Sequence, residues 1–370
     1  MHTTPITTAE PAPVNAAQAS ASTPQQANAQ ALAIKAAFEL LFGRAPRADE
    51  LDRFPPALVA EIHHASDLLA QLLQQRHAQK GREHAALETL MQAPMTRAIQ
   101  AGADFDESRF EAAYQAKLAD EAELIIGQRD YLPQHKTRFR ELFKAVTTLL
   151  ADRPRPTLLE FGASEFSAFY KPLIPNLTLH LSDRPTPADY IGFTEQVGFE
   201  RLGCDAYFAL DLEQPPLLSA AHDDPQRPAA QSYDLIVFAE VLEHLVVNPV
   251  ELMSALLKLL KPDGFLYLTT PNLFRAELRE QWLALENPQQ IYPAADGNWD
   301  RHHHHCEFGA AELLRFLEQA GGKVIAFYYS GCWDAHTDRA ADELGNLVFL
   351  VTPAPATVGD QTHAAKSTTD

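Results

Sequence analysis

The sequence has few cysteines, a deficit of basic residues and no long apolar run. Its three cysteines, Cys204, Cys306 and Cys332, are too few and too scattered for a disulfide framework or a zinc site. Thirty Lys and Arg oppose 49 Asp and Glu, a formal net charge of −19, which disfavours binding to nucleic acid and to anionic membranes. No apolar stretch has the length of a membrane span, and the amino terminus lacks the basic and apolar regions of a secretory signal. We therefore expect a soluble, cytoplasmic protein without a nucleic-acid partner.

Both ends of the chain also lack the residues that build a core. Residues 1–32 contain no aromatic side chain, and Glu10 is their only charged one. Such a composition cannot bury enough apolar area to offset the entropy of ordering the chain. We predict disordered tails at 1–32 and 353–370, an all-helical region over 33–128 and a second domain over 129–352.

The pattern of apolar residues changes from helical to alternating along the chain. Helices are predicted near 82–93 and 107–126, and a long amphipathic helix carries Phe139, Phe143 and Leu150 on one face. The strands are then predicted at Thr157–Phe161, Leu177–Leu181, Ala206–Leu210, Tyr233–Phe238, Phe265–Thr270, Val324–Tyr329 and Leu347–Val351. The intervening helices include Pro249–Leu260 and Gly309–Ala320. This alternation favours a mostly parallel α/β sheet whose last two strands pair antiparallel at one edge.

Acidic residues follow several of the predicted strands. Glu160 and Gly162 end the first strand, and Asp183, Asp211 and Glu240 follow later ones. Ligands of open α/β sheets bind outside the carboxyl ends of the strands, where a carboxylate accepts hydrogen bonds from ribose hydroxyls and glycine permits close approach. Taken singly, each acid has an equally simple role as the cap of the next helix. Their order along the chain indicates a ligand-binding site more specifically than any single acid does.

Two longer segments join these acids in one pattern. Glu240–Leu245 (EVLEHL) and Leu259–Asn272 (LLKPDGFLYLTTPN) resemble class I S-adenosylmethionine-dependent methyltransferases, a similarity that extends over about residues 155–352. The resemblance implies a Rossmann-like, seven-stranded, mostly parallel sheet with an antiparallel last strand, and S-adenosyl-L-methionine as cofactor. It also implies cofactor contacts: the methionine part at Glu160, Gly162, Ala163 and Ser164, the ribose at Asp183, the adenine at Asp211 and Leu212, and the methyl group near Glu240.

The first loop departs from that family. The family has three alternating glycines here, whereas this chain keeps Gly162 and has Ser164 and Phe166 at the other two positions. The phenylalanine must turn away from the cofactor or shape its pocket. A non-catalytic relative that keeps the fold as a scaffold is therefore one alternative. A nicotinamide-dependent oxidoreductase is another, although it requires a three-glycine turn and leaves the EVLEHL segment unexplained.

Histidines supply the catalytic candidates. Glu243 and His244 either act in proton transfer or only begin a helix. The run His302–His305 precedes Cys306 and could ligate a metal. Adjacent residues cannot all face one ion, however, so we predict no metal. The family resemblance implies a loop over the active-site mouth, where one or two histidines of the run, with His304 and His305 the candidates, line the acceptor pocket and supply a base. The others belong to a solvated loop.

The amino-terminal region contributes one further resemblance. Phe38–Leu51 (FELLFGRAPRADEL) is similar to a segment of a small helical module that accompanies bacterial enzymes acting on surface glycans. An ordinary helix–turn–helix is the alternative. The resemblance implies a role in glycan modification, so we expect a small-molecule or saccharide acceptor, methylated at oxygen.

Overall fold

The computed structural model describes residues 78–120, 128–184, 201–214, 227–284, 304–331 and 344–355. The chain divides into two compact units, Met1–Gly81 and Arg82–Asp370. Residues 78–81 of the first unit are described, and they are helical. The predicted tail at 1–32, most of the tail at 353–370, the segment Phe38–Leu51 and His302–His303 lie outside the described residues. None of the described helices combines the length and hydropathy that crossing a lipid bilayer requires.

Helices precede the sheet in the second unit. They are α1 (residues 82–91), α2 (Pro94–Ala101), α3 (Glu107–Ala119) and α4 (Gln128–Leu150). Helix α3 begins after its N-cap residue Asp106, whose side chain accepts a hydrogen bond from the Arg109 amide at 3.0 Å. The predicted helices near 82 and 107 are confirmed, as is the long amphipathic helix before the first strand.

The sheet has seven strands in the order β3-β2-β1-β4-β5-β7-β6. The strands are β1 (Thr157–Phe161), β2 (Thr178–Asp183), β3 (Ala206–Ala209), β4 (Tyr233–Ala239), β5 (Leu260–Pro271), β6 (Gly322–Ser330) and β7 (Asn346–Pro353). The first five strands are parallel to one another, whereas β7 lies between β5 and β6 and is antiparallel to both. The predicted Rossmann-like sheet with an antiparallel last strand is confirmed.

Short helices and turns connect the strands. They are a 3₁₀ helix (Glu165–Phe169), α5 (Tyr170–Leu173), a 3₁₀ turn (Leu242–His244), α6 (Pro249–Leu259), α7 (Ala276–Leu283) and α8 (Ala310–Gln319). Asn248 caps α6, and its side chain accepts a hydrogen bond from the Val250 amide at 3.0 Å.

Strand β5 starts earlier than the sequence predicts. The predicted strand begins at Phe265, whereas Lys261–Gly264 already belongs to β5, with a register shift opposite Tyr233 and Leu235 of β4. A Cβ atom at Gly264 would lie 2.7 Å from the Tyr233 carbonyl oxygen. Glycine therefore permits the close approach of β5 to the Tyr233 carbonyl group, even though Lys261–Gly264 has the composition of a turn.

The core lies on both faces of the sheet. Phe143 of α4 packs in one buried cluster with Leu158 and Leu235, whereas Leu159 and Ile236 belong to the cluster under α6 and α8. Successive residues of a strand point to opposite faces. Strands β1 and β4 are thus buried on both sides, which fixes the positions of their carboxyl ends.

Candidate active site

The carboxyl ends of β1, β2 and β4 lie side by side. Phe161 of β1 is in register with Ser182 of β2 and with Phe238 of β4. The Gly162 amide donates to the Ser182 carbonyl oxygen at 3.0 Å, so the chain leaves β1 while still held to β2. Gly162 and Glu240 therefore follow their strands at the same edge, which is where a ligand of such a sheet binds.

Gly162 has a backbone conformation that other residues rarely adopt. Its φ is +74°, and an added Cβ atom would lie 2.7 Å from Cγ2 of Val241. Both the left-handed conformation and the contact with the segment after β4 require glycine. This first turn of the family's loop is preserved.

The two residues that replace glycines build local structure. Ser164 caps the 3₁₀ helix: its Oγ accepts from the Phe166 amide at 3.2 Å, and its own amide donates to Oγ of Ser167 at 2.9 Å. The Phe166 ring is fully buried and stacks on Phe139 of α4, with ring centroids 3.9 Å apart. Of the two orientations considered from the sequence, the structure shows Phe166 packed in the core.

The Glu160 carboxyl group is enclosed at the end of β1. It is 3% exposed, and it accepts hydrogen bonds from Tyr170 Oη at 2.8 Å and from the Ser167 hydroxyl. Burial raises the pKa of Glu160 to about 7, although the two hydrogen bonds oppose the increase. The side chain thus ties β1 to the following helices. Its contact with a methionine moiety remains a prediction.

The acids after β2 and β3 make local backbone hydrogen bonds. Asp183 accepts from the Arg184 amide at 2.7 Å, and Asp211 accepts from the Glu213 amide at 3.0 Å. Both aspartates remain partly exposed, whereas Leu212 is buried. Both aspartates lie at the carboxyl edge of the sheet, and their ribose and adenine contacts remain predictions, as does the alternative that each caps the next helix.

Glu240 is held in a strained conformation. Its φ is +56°, which is uncommon for a residue with a Cβ atom. The Glu240 amide donates to the Thr269 carbonyl oxygen at 3.0 Å, and Oε1 accepts from Thr269 Oγ1 at 2.7 Å and from Asn346 Nδ2 at 2.9 Å. Neighbours on β5 and β7 therefore fix both the backbone and the carboxylate, as is common where strain serves a site.

Glu243 is the most deeply buried acid of this edge. It is 0% exposed, and Oε2 accepts from Thr270 Oγ1 at 2.9 Å. Oε1 has no hydrogen-bond partner among the described residues and lies 4.0 Å from Nε2 of His244. Burial, together with the charge of Glu240, raises the pKa of Glu243 well above its ordinary value.

Residues 304–308 dock onto the turn that contains Glu243. The amide of His305 donates to the Glu243 carbonyl oxygen at 2.7 Å, and the imidazole rings of His244 and His304 are 4.8 Å apart. The structure thus brings two predicted catalytic histidines together, and it holds the third by its main chain.

A second acid orients His304. Its Nδ1 lies 2.7 Å from Oε1 of Glu307, and Arg275 forms a two-point ion pair with the same carboxylate. Although burial opposes ionisation, the hydrogen bonds from His304 and Arg275 lower the pKa of Glu307. The sequence pointed to Glu243 only as a possible partner of His244 in proton transfer. It did not identify Glu307 or Arg275 as site residues.

The fold is that of an α/β protein with a mostly parallel, seven-stranded sheet. A family model described as a methyltransferase domain matches residues 134–326, which is more than half of the chain. The protein therefore belongs to this methyltransferase family. No curated protein matches its sequence.

Several solved structures resemble the chain at low TM-scores. A trans-methyltransferase, CalH, in complex with SAH is 17% identical, with 88% of each chain covered and a TM-score of 0.41. The CurJ carbon methyltransferase is 16% identical, with 75% of this chain and 71% of that one covered and a TM-score of 0.40. A third structure is the 1,6-didemethyltoxoflavin-N1-methyltransferase of Burkholderia thailandensis, with bound 1,6-didemethyltoxoflavin and S-adenosylhomocysteine. It is 16% identical, with 67% of this chain and 87% of that one covered and a TM-score of 0.39. Similarity at this level identifies no acceptor.

Proposed function

We propose that the protein transfers a methyl group from S-adenosyl-L-methionine to an oxygen atom of a small-molecule or saccharide acceptor. Family membership supports methyl transfer. The observation that carries the proposal is the alignment of Gly162, Asp183 and Glu240 at one edge of the sheet, next to the paired rings of His244 and His304.

The residues at the edge fit the chemistry of this cofactor. Gly162 turns with a positive φ and allows the backbone to approach a ligand. The partly exposed carboxylate of Asp183 can accept hydrogen bonds from ribose hydroxyls, and the buried Leu212 after β3 supplies apolar surface for the adenine. When bound, the cofactor supplies the electrophilic methyl group and its leaving group. The protein's own task is to hold the cofactor and the acceptor in line.

The histidines supply the acceptor side of the site in this proposal. The rings of His244 and His304 meet edge to face, 4.8 Å apart. His244 lies four residues after Glu240, the residue predicted to lie near the methyl group, and the His305 amide is held by the Glu243 carbonyl oxygen. An acceptor hydroxyl is a weak nucleophile until its proton is removed or its pKa is lowered, so polar groups that activate it are required here. The choice of a saccharide rests only on the resemblance of the segment Phe38–Leu51.

A calorimetric titration of the full chain with S-adenosylmethionine tests the cofactor assignment. We expect one site, and we expect Asp183→Ala to weaken binding by about 1–3 kcal/mol, the loss of charge-assisted hydrogen bonds. Asp263→Ala is the matched control, because Asp263 is an exposed acid near the start of β5, where it pairs with Arg153. Absence of binding would support the scaffold alternative, and unchanged affinity in Asp183→Ala would remove Asp183 from the site.

Single replacements of the histidines test the acceptor side. Once an acceptor is found, His244→Ala and His304→Ala should lower turnover by roughly 10²–10⁴-fold while the affinity for S-adenosylmethionine stays within about twofold. Full activity in both variants would exclude these side chains from activation of the acceptor.

A further inference from the structure

The side chains of Glu243, His244 and His304 converge on one point of the active-site edge. One ligand atom from each lies within 4.8 Å of the other two. We propose that these three residues bind a divalent transition-metal cation. The expectation of no metal came from the adjacency of the histidines in the run, but two of these three ligands, Glu243 and His244, lie outside the run.

The buried oxygen of Glu243 is the first argument. Its Oε2 is fixed by Thr270, while Oε1 is directed toward His244 and has no hydrogen-bond partner in the described part of the chain. A fully buried carboxylate oxygen without a partner is unfavourable. A cation between Glu243 and the imidazoles would supply the missing interaction.

The environment of His304 is the second argument. Its Nδ1 is engaged by Glu307, so Nε2 is the nitrogen left to bind a ligand. Histidines that ligate metals almost always hydrogen-bond through the other nitrogen to a carboxylate or carbonyl, which fixes the ring and raises its basicity. Arg275 in turn holds Glu307, so His304 has the outer contacts that a metal ligand requires.

The loop and the turn are also joined by their main chains. The amides of His305 and Cys306 both point to the Glu243 carbonyl oxygen, at 2.7 and 3.3 Å. These contacts hold His304 over the turn that carries Glu243 and His244. Ligands on two separate segments are therefore positioned before any ion binds.

The distances between the ligand atoms and their chemical types limit which cations can bind. Donors that lie 2.0–2.2 Å from a common ion are about 3–3.5 Å apart, whereas these ligand atoms lie up to 4.8 Å apart, so the most distant pair must approach by about 1.3–1.8 Å. His244 and His304 are partly exposed, at 27% and 36% of their side chains, and small ring rotations are sufficient. Two imidazoles and a carboxylate favour Mn²⁺, Fe²⁺, Co²⁺ or Zn²⁺ over Mg²⁺ and Ca²⁺. Three protein ligands leave positions open for water or substrate.

The role of this ion in catalysis rests on the proposed function. If an acceptor oxygen binds at an open position, the cation lowers the pKa of its hydroxyl, which is the activation the acceptor needs. His244 and His304 then act as ligands in that activation. The cation site itself is independent of the methyl donor and can be tested without it.

Mn²⁺ is the probe that separates this site from surface histidines. It binds most weakly of the first-row divalent ions to a given set of ligands, so chance binding to a histidine run is small. Loss of the electron paramagnetic resonance signal of free Mn²⁺ gives the affinity of the full chain, stripped of metal beforehand. We expect one ion per chain, and we expect Glu243→Gln and His244→Ala each to weaken it at least about tenfold. Glu307→Gln should weaken it by about 10–100-fold.

His84→Ala is the matched control. His84 is exposed on α1 and forms an ordinary surface pair with Glu88 at 3.3 Å. Its replacement should not change Mn²⁺ affinity. Thermal melts of the metal-free variants establish that each is folded, and the partly exposed His244 provides a second test if Glu243→Gln is unstable.

The outcomes are distinct. Undiminished affinity in both Glu243→Gln and His244→Ala would place the ion on the histidine run and overturn the proposal, as would absence of Mn²⁺ binding to the wild-type chain. A chain that binds S-adenosylmethionine but no Mn²⁺ would refute the cation site alone. A chain that binds Mn²⁺ but no S-adenosylmethionine would refute the proposed function and keep the site.

Discussion

The two ends of β4 both carry a buried acid, but only one of these acids is paired with cations. Asp234, near the start of the strand, is 3% exposed; its Oδ2 accepts from the Thr157 amide at 2.8 Å and from Lys261 at 2.7 Å, and Arg153 lies 3.3 Å from Oδ1. Glu243, after the end of the strand, is 0% exposed, and no Lys or Arg of the described residues forms an ion pair with it.

This difference separates a structural end of the sheet from the end that carries the proposed site. At the amino end, the charges and hydrogen bonds of Asp234 are complete within the protein, so the group contributes to the fold alone. At the carboxyl end, Glu240 is strained and Glu243 retains an oxygen without a hydrogen bond in the described chain. Proteins depart from local consistency mainly where a ligand completes the arrangement.

The largest expected effect is at the amino end. Asp234→Ala leaves the partly buried Lys261 without its acid and the Thr157 amide without its acceptor, whereas Arg153 keeps its exposed partner Asp263. The free energy of unfolding should therefore fall by about 3–5 kcal/mol. Denaturation in urea measures the change. Asp263→Ala, which removes an exposed partner of Arg153, should cost about 1 kcal/mol or less. Equal effects of the two replacements would show that Asp234 is not a structural centre.

Glu160 predicts a pH dependence of stability. Its pKa is about 7 in the folded chain against an ordinary value of 4.5, so the folded state binds the extra proton between these values. Stability therefore falls as pH rises from about 4.5 through 7, by about 3 kcal/mol in total for this group. Glu160→Gln should remove that part of the slope in urea titrations from pH 5 to 8, and Glu88→Gln, at an exposed acid, should not. Identical slopes for wild type and Glu160→Gln would contradict this assignment.

Phe166 sharpens the distinction between core and site. Phe166→Leu removes the ring that stacks on Phe139, so we expect a loss of about 1–2 kcal/mol in stability. The affinity for S-adenosylmethionine should not change, because the ring packs in the core. A selective loss of affinity without a loss of stability would instead assign Phe166 to the cofactor pocket.

Glu243 should give the smallest change in stability. Glu243→Gln keeps the shape of the side chain and removes a buried ionisable group that no Lys or Arg of the described chain pairs with, so the unfolding free energy should stay within about 1 kcal/mol of wild type in metal-free buffer. The same urea denaturation checks it beside Asp234→Ala. A loss as large as that of Asp234→Ala would mean that Glu243 is part of the structural network.

The sequence predicted most of the sheet because its inner strands are short, continuously apolar runs. Strand β1 has the predicted bounds, whereas β5 begins before its prediction because Lys261–Gly264 has the composition of a turn. The burial of Phe166 was not predictable, since it depends on Phe139 of a separate helix.

The candidate site was only partly visible in the sequence. The run of adjacent histidines did not indicate which ring would contact His244. The pair Glu243–His244 is equally typical of the start of a helix. The ion pair of Arg275 with Glu307 joins distant positions, so only the fold reveals that His304 has an oriented imidazole.

The most direct test of the division between the two ends is a calorimetric titration of two variants with S-adenosylmethionine, side by side. The account predicts that Asp183→Ala, at the carboxyl end, keeps its stability but binds the cofactor about 5–150-fold more weakly, the equivalent of 1–3 kcal/mol. Asp234→Asn, at the amino end, should be less stable yet bind within about twofold of wild type. An affinity lost equally in both variants, or lost only in Asp234→Asn, would contradict it.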